Sequence, residues 1–177
     1  VKTFKCSACG DTYTEVVATE ACNAVYKGTK YVLYSGSMTY AEAKAFCEKF
    51  GGHLVKITSQ EENDVVAGLV ASSGIKSWIN GTDEVKEGTW CFDDGEKMTY
   101  LNWSQGEPNS NSGTDQDYMS MFLSGKWDDS HGELGGFVCE FDHKHTYSSS
   151  IETQSDISKA VKTFKCSACG DTYTEVV

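Results

Sequence analysis

A polar loop, GEPNSNSGTDQD, runs from Gly106 to Asp117 and contains Pro108, the single proline of the 177-residue chain. Carboxylates and amides surround this proline, and such side chains do not form a hydrophobic core. The loop is therefore either a solvated connection or a place where several oxygen atoms converge on one ligand. A hard cation such as calcium takes about six to eight oxygen ligands from carboxylates and carbonyls. The composition of the loop alone leaves both interpretations open.

Two CxxC pairs, one near each end of the chain, are the second set of residues that could do chemistry. The pairs are Cys6 with Cys9 and Cys166 with Cys169. A CxxC followed by glycine is half of a zinc knuckle, and two histidines lie upstream of the second pair. The four candidate zinc ligands are His143, His145, Cys166 and Cys169. A disulfide within each CxxC and free thiols are the alternatives, whereas a thioredoxin-like role is disfavoured because no βαβ pattern surrounds either pair.

The other four cysteines are widely separated along the chain. They are Cys22, Cys47, Cys91 and Cys139. An even number of widely spaced cysteines indicates disulfides and an oxidising compartment, and four buried thiols are the alternative.

The charge balance excludes some classes of partner. The formal net charge is -11, and no basic face is visible, so nucleic acid is not an expected partner. No run of about 18 apolar residues is present, so we expect no membrane insertion. The chain begins with neither an initiator methionine nor a signal-peptide pattern, and we therefore expect a segment of a longer, exported protein.

One 17-residue sequence, VKTFKCSACGDTYTEVV, occurs twice without a difference, at Val1 to Val17 and at Val161 to Val177. The simplest interpretation is a tandem array in which neighbouring repeats are partners in the parent chain. A duplicated cloning scar is the alternative. We divide the chain into a CxxC element (1–17), a main domain (18–142) that contains all four tryptophans, and a Ser/Thr-rich linker or exposed strand with a second CxxC element (143–177).

The main domain is predicted to be α+β. Two segments have a hydroxyl residue at the N-cap, a glutamate three residues later and a terminating glycine. These residues are Thr39, Glu42 and Gly51 for the first helix, and Ser59, Glu62 and Gly74 for the second. After Gly74, short aromatic and β-preferring runs alternate with Gly, Asp and Ser, which is typical of short strands joined by loops.

The order of these motifs resembles the C-type lectin-like domain over roughly residues 30–141. The segments that carry the resemblance are AEAKAFCEKFGGHLVKI, SWING, TDEVKEGTWCF, MTYLNWSQGEPN, GKWDD and FVCEF. The EPN motif is similar to the mannose-binding, collectin-like branch, and the CxxC elements resemble modules of Gram-positive bacterial surface proteins. The resemblance implies two helices, small antiparallel sheets, long calcium-binding loops and a disulfide between Cys47 and Cys139.

The resemblance also implies a calcium cage. In this family the Glu-Pro bond is cis, which directs Glu107 and Asn109 to one point. The five implied ligands are Glu107, Asn109, Gln116, Asp128 and Asp129. Gln116 replaces a family glutamate and Asp128 replaces a family asparagine, so the number of carboxylates is kept, and Asp115 is an alternative to Gln116. An auxiliary calcium site is implied at Asp83, Glu87 and Asp117, with Ser110 where a further carboxylate is often found.

The same five residues would bind sugar hydroxyls in such a family. The order of Glu107 and Asn109 is that of sites for mannose- or glucose-type sugars, whereas the exchange at Gln116 and Asp128 either turns the sugar or abolishes binding. We expect a calcium-dependent carbohydrate-binding module, extracellular or on a cell surface; a protein-binding adhesin with structural calcium is the alternative. No catalytic motif is present, and His53 is interpreted as a structural histidine, so the chain is not expected to be an enzyme.

The sequence departs from the family at the second family disulfide. Tyr118 and Gly132 occupy the two cysteine positions, so both partners are missing together. Cys91 lies in a strand that offers it no family partner, and Cys22 precedes the domain. We expect either a bond between Cys22 and Cys91 or two separate thiols.

Overall fold

The computed structural model describes residues 2–5, 12–15, 18–109, 115–142, 147–152, 161–167 and 172–176. These residues form two helices and three sheets. The elements are β1 (Lys2–Lys5), β2 (Thr12–Glu15), β3 (Thr19–Tyr26), β4 (Thr29–Thr39), α1 (Tyr40–Lys49), β5 (His53–Leu54), α2 (Gln60–Ser73), β6 (Ser77–Thr82), β7 (Tyr118–Met121), β8 (Trp127–Ser130), β9 (Glu133–Phe141), β10 (Tyr147–Glu152), β11 (Val161–Cys166) and β12 (Thr172–Val176).

The main sheet has seven strands in the order β3-β4-β9-β6-β7-β8, with β5 also paired to β9. All pairs are antiparallel except β6 with β9, where Ser77 lies opposite Gly136 and Trp78 opposite Phe137. The α+β class and the C-type lectin-like fold are confirmed, but the sheets of the main domain join into one mixed sheet. The pairing of Lys30 with Phe141 brings the two ends of the domain together.

Both predicted helices begin and end where their caps indicate. Thr39 and Glu42 form a reciprocal capping box at α1. At α2 the prediction is half right, because Ser59 accepts a hydrogen bond from the Glu62 N–H but Glu62 does not return it. The Glu62 carboxylate instead turns inward to Tyr31 and Thr58.

The predicted disulfide between Cys47 and Cys139 is present and closes 92 residues of sequence. It joins α1 to β9 inside one core cluster, where Trp78 and Phe137 are completely buried. A second cluster lies under α2 and includes Trp127, Val66 and Val138. The disulfide therefore fixes the helix against the central strand of the sheet.

The proposed bond between Cys22 and Cys91 is wrong in this structure. The Cys22 thiol on β3 contacts the carbonyl oxygen of Leu69 on α2 at 3.5 Å. The Cys91 thiol contacts the carbonyl oxygen of Thr82 on β6 at 3.5 Å. The two cysteines are separate thiols because each packs against a different element.

Aromatic contacts occupy the region of the missing family disulfide. Tyr118 stacks on Tyr40 with ring centroids 4.5 Å apart, which ties β7 to the start of α1. Among the short runs after Gly74 that are predicted to be strands, those containing Cys91 and Trp103 form only isolated bridges. Trp90 and Trp103 contact each other there at 4.8 Å, so side-chain packing replaces strand pairing in these loops.

The two copies of the repeated sequence form hairpins with the same register. Lys2 pairs with Glu15 in the first copy, and Lys162 pairs with Glu175 in the second. Within the Ser/Thr-rich segment, β10 pairs with β11, so this part is a strand. Three of the four candidate zinc ligands, His143, His145 and Cys169, lie outside the described residues; zinc therefore stays a prediction.

Candidate metal site

Strand β8 positions the candidate site, and Trp127 anchors that strand. Its indole is completely buried and donates to the Asn63 side-chain oxygen at 2.8 Å. The Trp127 N–H donates to the Asn102 carbonyl at 3.0 Å, and its own carbonyl accepts from Ser104 N–H at 2.8 Å. These bonds hold the loop that precedes Glu107 beside the start of β8.

The structure brings three predicted carboxylates together. The candidate ligand oxygens of Glu107, Asp128 and Asp129 all lie within 4.8 Å of one another. The Glu107–Pro108 bond is cis, as the resemblance implied. Asn109 completes the group, since its backbone N–H donates to Asp129 Oδ2 at 3.0 Å and its side-chain amide donates to Glu107.

Gln116 belongs to the same group. Its side-chain nitrogen donates to the backbone carbonyl of Asp129 at 2.9 Å. Asp115 is exposed and is not among the three clustered carboxylates. The geometry therefore favours Gln116 over Asp115 as the fifth member, while Ser110 lies outside the described residues.

The electrostatics of this group favour a cation. Asp129 is 1% exposed and Asp128 is 8% exposed, so neither carboxylate is well hydrated. Burial, hydrogen bonding to Asp129 and the negative charges of both aspartates raise the pKa of Glu107 to about 7. Three mutually close carboxylates repel one another, and a divalent cation removes that repulsion. Carboxylate and amide oxygens are also the donors that calcium prefers, so this donor set fits the ion.

One residue of this site was missed by sequence reasoning. The Lys76 ammonium forms an ion pair with Asp128 Oδ2 and a hydrogen bond of 2.9 Å with Ser130 Oγ. Lys76 directly precedes β6, and only the order β6-β7-β8 brings it to Asp128. The sequence signal is weak, because a lysine before a buried strand is ordinarily solvated.

The auxiliary residues Asp83, Glu87 and Asp117 also meet, with their carboxylate oxygens within 4.8 Å of one another. Asp83 is 4% exposed; its Oδ2 accepts from Gly88 N–H at 2.8 Å, but its buried Oδ1 has no hydrogen-bond partner. Burial, opposed by that bond, raises the pKa of Asp83, as do the charges of Glu87 and Asp117. A buried oxygen without a donor is what a cation ligand looks like before the ion is bound, so the auxiliary cluster fits a cation too.

A third group, His53, Glu140 and Asp142, lies where β5 meets β9. His53 Nδ1 bonds to the Leu54 carbonyl at 2.8 Å, and Nε2 lies 3.5 Å from Asp142 Oδ1. Glu140 accepts from the Lys56 N–H at 3.0 Å. The histidine is thus held by a backbone carbonyl and by carboxylates of β9 and its C-terminal end, which agrees with a structural role.

The comparison with protein families decides the identity of the fold. The family model described as the lectin C-type domain matches residues 36–141. The chain belongs to the C-type lectin domain family. The family includes named lectins and its members are not enzymes, in line with the expectation from the sequence that the chain is not an enzyme.

Two curated relatives share the domain. Pulmonary surfactant-associated protein D of Sus scrofa is 34% identical over 106 residues, which cover 58% of this chain and 28% of the relative. The galactose-specific lectin nattectin of Thalassophryne nattereri is 31% identical over 100 residues, which cover 55% of this chain and 63% of the relative. The chain therefore spans only part of the length of the curated relatives that it matches.

A solved structure shares the fold closely. The carbohydrate-recognition domain of the mouse scavenger receptor C-type lectin superimposes with a TM-score of 0.65 at 27% sequence identity. The match covers 69% of this chain and 96% of that domain. The similarity thus covers nearly the whole of a carbohydrate-recognition domain.

Proposed function

We propose that this domain binds carbohydrate through a calcium ion held by its long loops. The observation that carries the proposal is the meeting of Glu107, Asp128 and Asp129 within 4.8 Å beside Asn109 and Gln116. Family membership supports the same conclusion, since C-type lectin relatives include named lectins. The ligand set is therefore the five residues Glu107, Asn109, Gln116, Asp128 and Asp129.

Each ligand would have a second task at the sugar. When bound, calcium supplies coordination positions for two neighbouring sugar hydroxyls. Carboxylates accept hydrogen bonds from those hydroxyls, whereas the amide nitrogens of Asn109 and Gln116 donate to their lone pairs. Glu107 and Asn109 present an acceptor followed by a donor, as in the family. At the other two positions the roles are exchanged, since Gln116 donates where the family glutamate accepts and Asp128 accepts where the family asparagine donates.

The sugar that we propose is of the mannose or glucose type. The reason is the Glu107–Pro108–Asn109 order, which resembles that of sites for equatorial vicinal hydroxyls. The relative nattectin is named as galactose-specific, so the panel of sugars must include galactose. A response to galactose alone would contradict the proposed specificity and leave the proposed calcium lectin intact.

The proposed setting is an exported protein with tandem repeats. The disulfide between Cys47 and Cys139 requires an oxidising compartment, and the two identical 17-residue sequences suggest neighbouring repeats. Neither helix among the described residues has the length and apolar character to cross a bilayer. Calcium affinity in the range of extracellular modules, about 10⁻⁴–10⁻³ M, would suit this setting, and repetition would convert weak single sites into avidity.

A glycan array probed with and without calcium tests the proposal. We expect binding to mannose- or glucose-type glycans in about 5 mM calcium, loss of binding in excess chelator, and recovery after calcium is restored. The Asp129→Asn protein is the matched negative control because it keeps the shape of the residue and removes one ligand charge. Absence of glycan binding together with calcium-independent capture of a protein would overturn the proposal.

A protein-binding adhesin on the same fold is the second candidate. The observation that favours it is the ion pair between Lys76 and Asp128, since this pair engages an oxygen that a sugar-binding calcium site would use. In that case calcium would brace the loops, and free sugars would not compete with the protein partner. The glycan array separates the two candidates because only the lectin responds to sugar.

A further inference from the structure

Lys76 and Asp128 form a pair within the candidate calcium site, and the register of three strands explains how they meet. Ser77 on β6 lies opposite Met121 on β7, and Ser120 lies opposite Asp128 on β8. Lys76 therefore begins one residue outside the paired region and extends over the Phe122 ring, 4.6 Å from its centroid. From there its ammonium reaches Asp128 across the intervening strand.

The protein supplies its own donors to one oxygen of Asp128. Oδ2 accepts from the Lys76 ammonium and from Ser130 Oγ, the latter at 2.9 Å. Ser130 is in turn bonded to Ser120 at 2.9 Å, which fixes its hydroxyl. The Lys76 side chain is 31% exposed and that of Asp128 is 11% exposed, so water screens this pair incompletely.

Two other lysines form ion pairs that do not involve the candidate calcium site. Lys44 pairs with Asp93, and Lys56 pairs with Asp94 and Glu96. None of these carboxylates belongs to the candidate calcium ligands. The Lys56 ammonium also lies over an aromatic ring, 5.1 Å from the centroid of Phe92. Lys56 therefore resembles Lys76 in its contacts, but its carboxylate partners are not candidate calcium ligands.

We propose that Lys76 is an internal competitor of calcium: its ammonium occupies Asp128 and sets the calcium affinity of the site. The inference rests on the proposed function and names the residue that tunes it. A cation that binds the three carboxylates must share Asp128 with an ammonium or displace it, and either costs binding free energy.

The test is calcium titration calorimetry in metal-free buffer, in the Asp83→Asn background so that the auxiliary cluster contributes least. Lys76→Met removes the ammonium and keeps an unbranched apolar chain on Phe122. We expect calcium to bind Lys76→Met roughly tenfold more tightly than its parent, because the competing charge is gone. The Tm without calcium should fall, since Asp128 then faces two carboxylates without its partner, and the rise in Tm on adding calcium should grow.

Two controls make the test specific to the pair. Lys56→Met should leave the calcium Kd unchanged within about twofold, because its partners are not candidate ligands. In an Asp128→Asn background, Lys76→Met should also change the Kd by less than about twofold, since no carboxylate remains for the ammonium to occupy. Lys76→Arg, which keeps the charge, should retain the weak parental affinity. Lys76→Gln is the second neutral variant if Lys76→Met does not fold.

The outcomes separate this inference from the function on which it rests. If the parent binds calcium and neither Lys76→Met nor Lys76→Gln binds it more tightly, the inference is overturned and the calcium site stands. An equal gain in affinity in the Asp128→Asn background would also overturn it, because the effect would then not pass through Asp128. If the parent shows no heat of calcium binding at millimolar concentration, the proposed function fails and this inference fails with it.

Discussion

Two regions of this domain contain nearly buried carboxylates, and they differ in what surrounds the oxygens. Under α2, Glu62 is 8% exposed. Its carboxylate accepts hydrogen bonds from Tyr31 Oη at 2.7 Å, from Thr58 N–H at 2.8 Å and from Thr58 Oγ1 at 3.0 Å. In the candidate calcium site, Glu107 of the long loop lies close to Asp128 and Asp129 of β8. The first region holds one carboxylate whose oxygens are satisfied by protein donors, whereas the second holds three mutually close carboxylates beside one ammonium, that of Lys76.

This difference indicates which acidic residues are structural. A buried carboxylate whose oxygens are filled by N–H and O–H donors contributes to folding and leaves little for an ion. A carboxylate that faces other carboxylates destabilises the protein until a cation arrives. Residue type and burial alone do not separate the two cases; the balance between protein donors and neighbouring carboxylates does.

The largest expected effect comes from breaking the satisfied region. Glu62→Ala should lower the free energy of unfolding by about 3 kcal/mol, because Tyr31 and Thr58 lose their acceptor in a buried place. Glu62→Gln should lose about 1 kcal/mol, since one oxygen remains. Urea unfolding in chelator and in calcium should give the same losses. A Glu62→Ala protein with normal stability and a weakened calcium response would reverse the comparison between the two regions.

The opposite behaviour is expected when a loop ligand is changed. Asp129→Asn should leave the stability in chelator nearly unchanged, because the weaker hydrogen bond from the Asn109 N–H offsets the relief of like-charge repulsion. In 10 mM calcium, binding to a site with a Kd of about 10⁻³–10⁻⁴ M should stabilise the parent by about 1.4–2.7 kcal/mol. The variant should lose most of this calcium-dependent stabilisation. Thermal unfolding with and without calcium measures this. Asp64→Asn, at an exposed aspartate on α2, is the matched control and should keep the full calcium response.

Much of this comparison was accessible from the sequence, because several signals are local. The caps at Thr39 and Ser59, the EPN motif and the WDD motif each lie within a few residues, and each appears where it was predicted. Resemblance to the family then placed Glu107 and Asp129 in one site, and the structure brings them together.

The features that sequence reasoning missed depend on which distant elements are neighbours. The pair of Lys76 with Asp128 requires the order of β6, β7 and β8, which no local pattern encodes. The inward turn of Glu62 requires Tyr31 of β4 to lie under α2, and the separation of Cys22 from Cys91 follows from the elements that cover each thiol. These contacts arise only after the sheet is assembled.

A pH titration extends the comparison to a third buried carboxylate, Glu140 on β9, which is not a candidate calcium ligand. Burial raises the pKa of Glu140 to about 7, as does the charge of Glu62, while Lys56 N–H and His53 oppose the shift. The folded state therefore holds a proton that the unfolded state releases near pH 4.5, so stability should fall as the pH rises from about 4.5 to 7. We expect a loss on the order of 2 kcal/mol across that window in chelator.

Glu140→Gln provides the control for this titration, since its amide cannot ionise and keeps an acceptor for Lys56 N–H. The variant should lose the part of the downward slope between pH 4.5 and 7 that Glu140 causes, while the raised pKa of Glu107 leaves a residual slope in both proteins. It should be the more stable protein at pH 8. Chemical unfolding at half-unit pH steps measures both curves. Parallel curves for the two proteins would show that Glu140 does not hold the proton.

The smallest expected effect tests whether the auxiliary cluster belongs with the loop ligands. Asp83 has one buried oxygen bonded to Gly88 N–H and one with no hydrogen-bond partner, beside Glu87 and Asp117. Asp83→Asn keeps the acceptor for Gly88 and removes a poorly solvated charge, so the protein in chelator should gain about 1 kcal/mol. Adding calcium should raise the free energy of unfolding of this variant less than that of the parent. Asp64→Asn should change neither the stability in chelator nor the response to calcium. A loss of stability in chelator would instead place Asp83 with Glu62, among the carboxylates whose charge the fold itself requires.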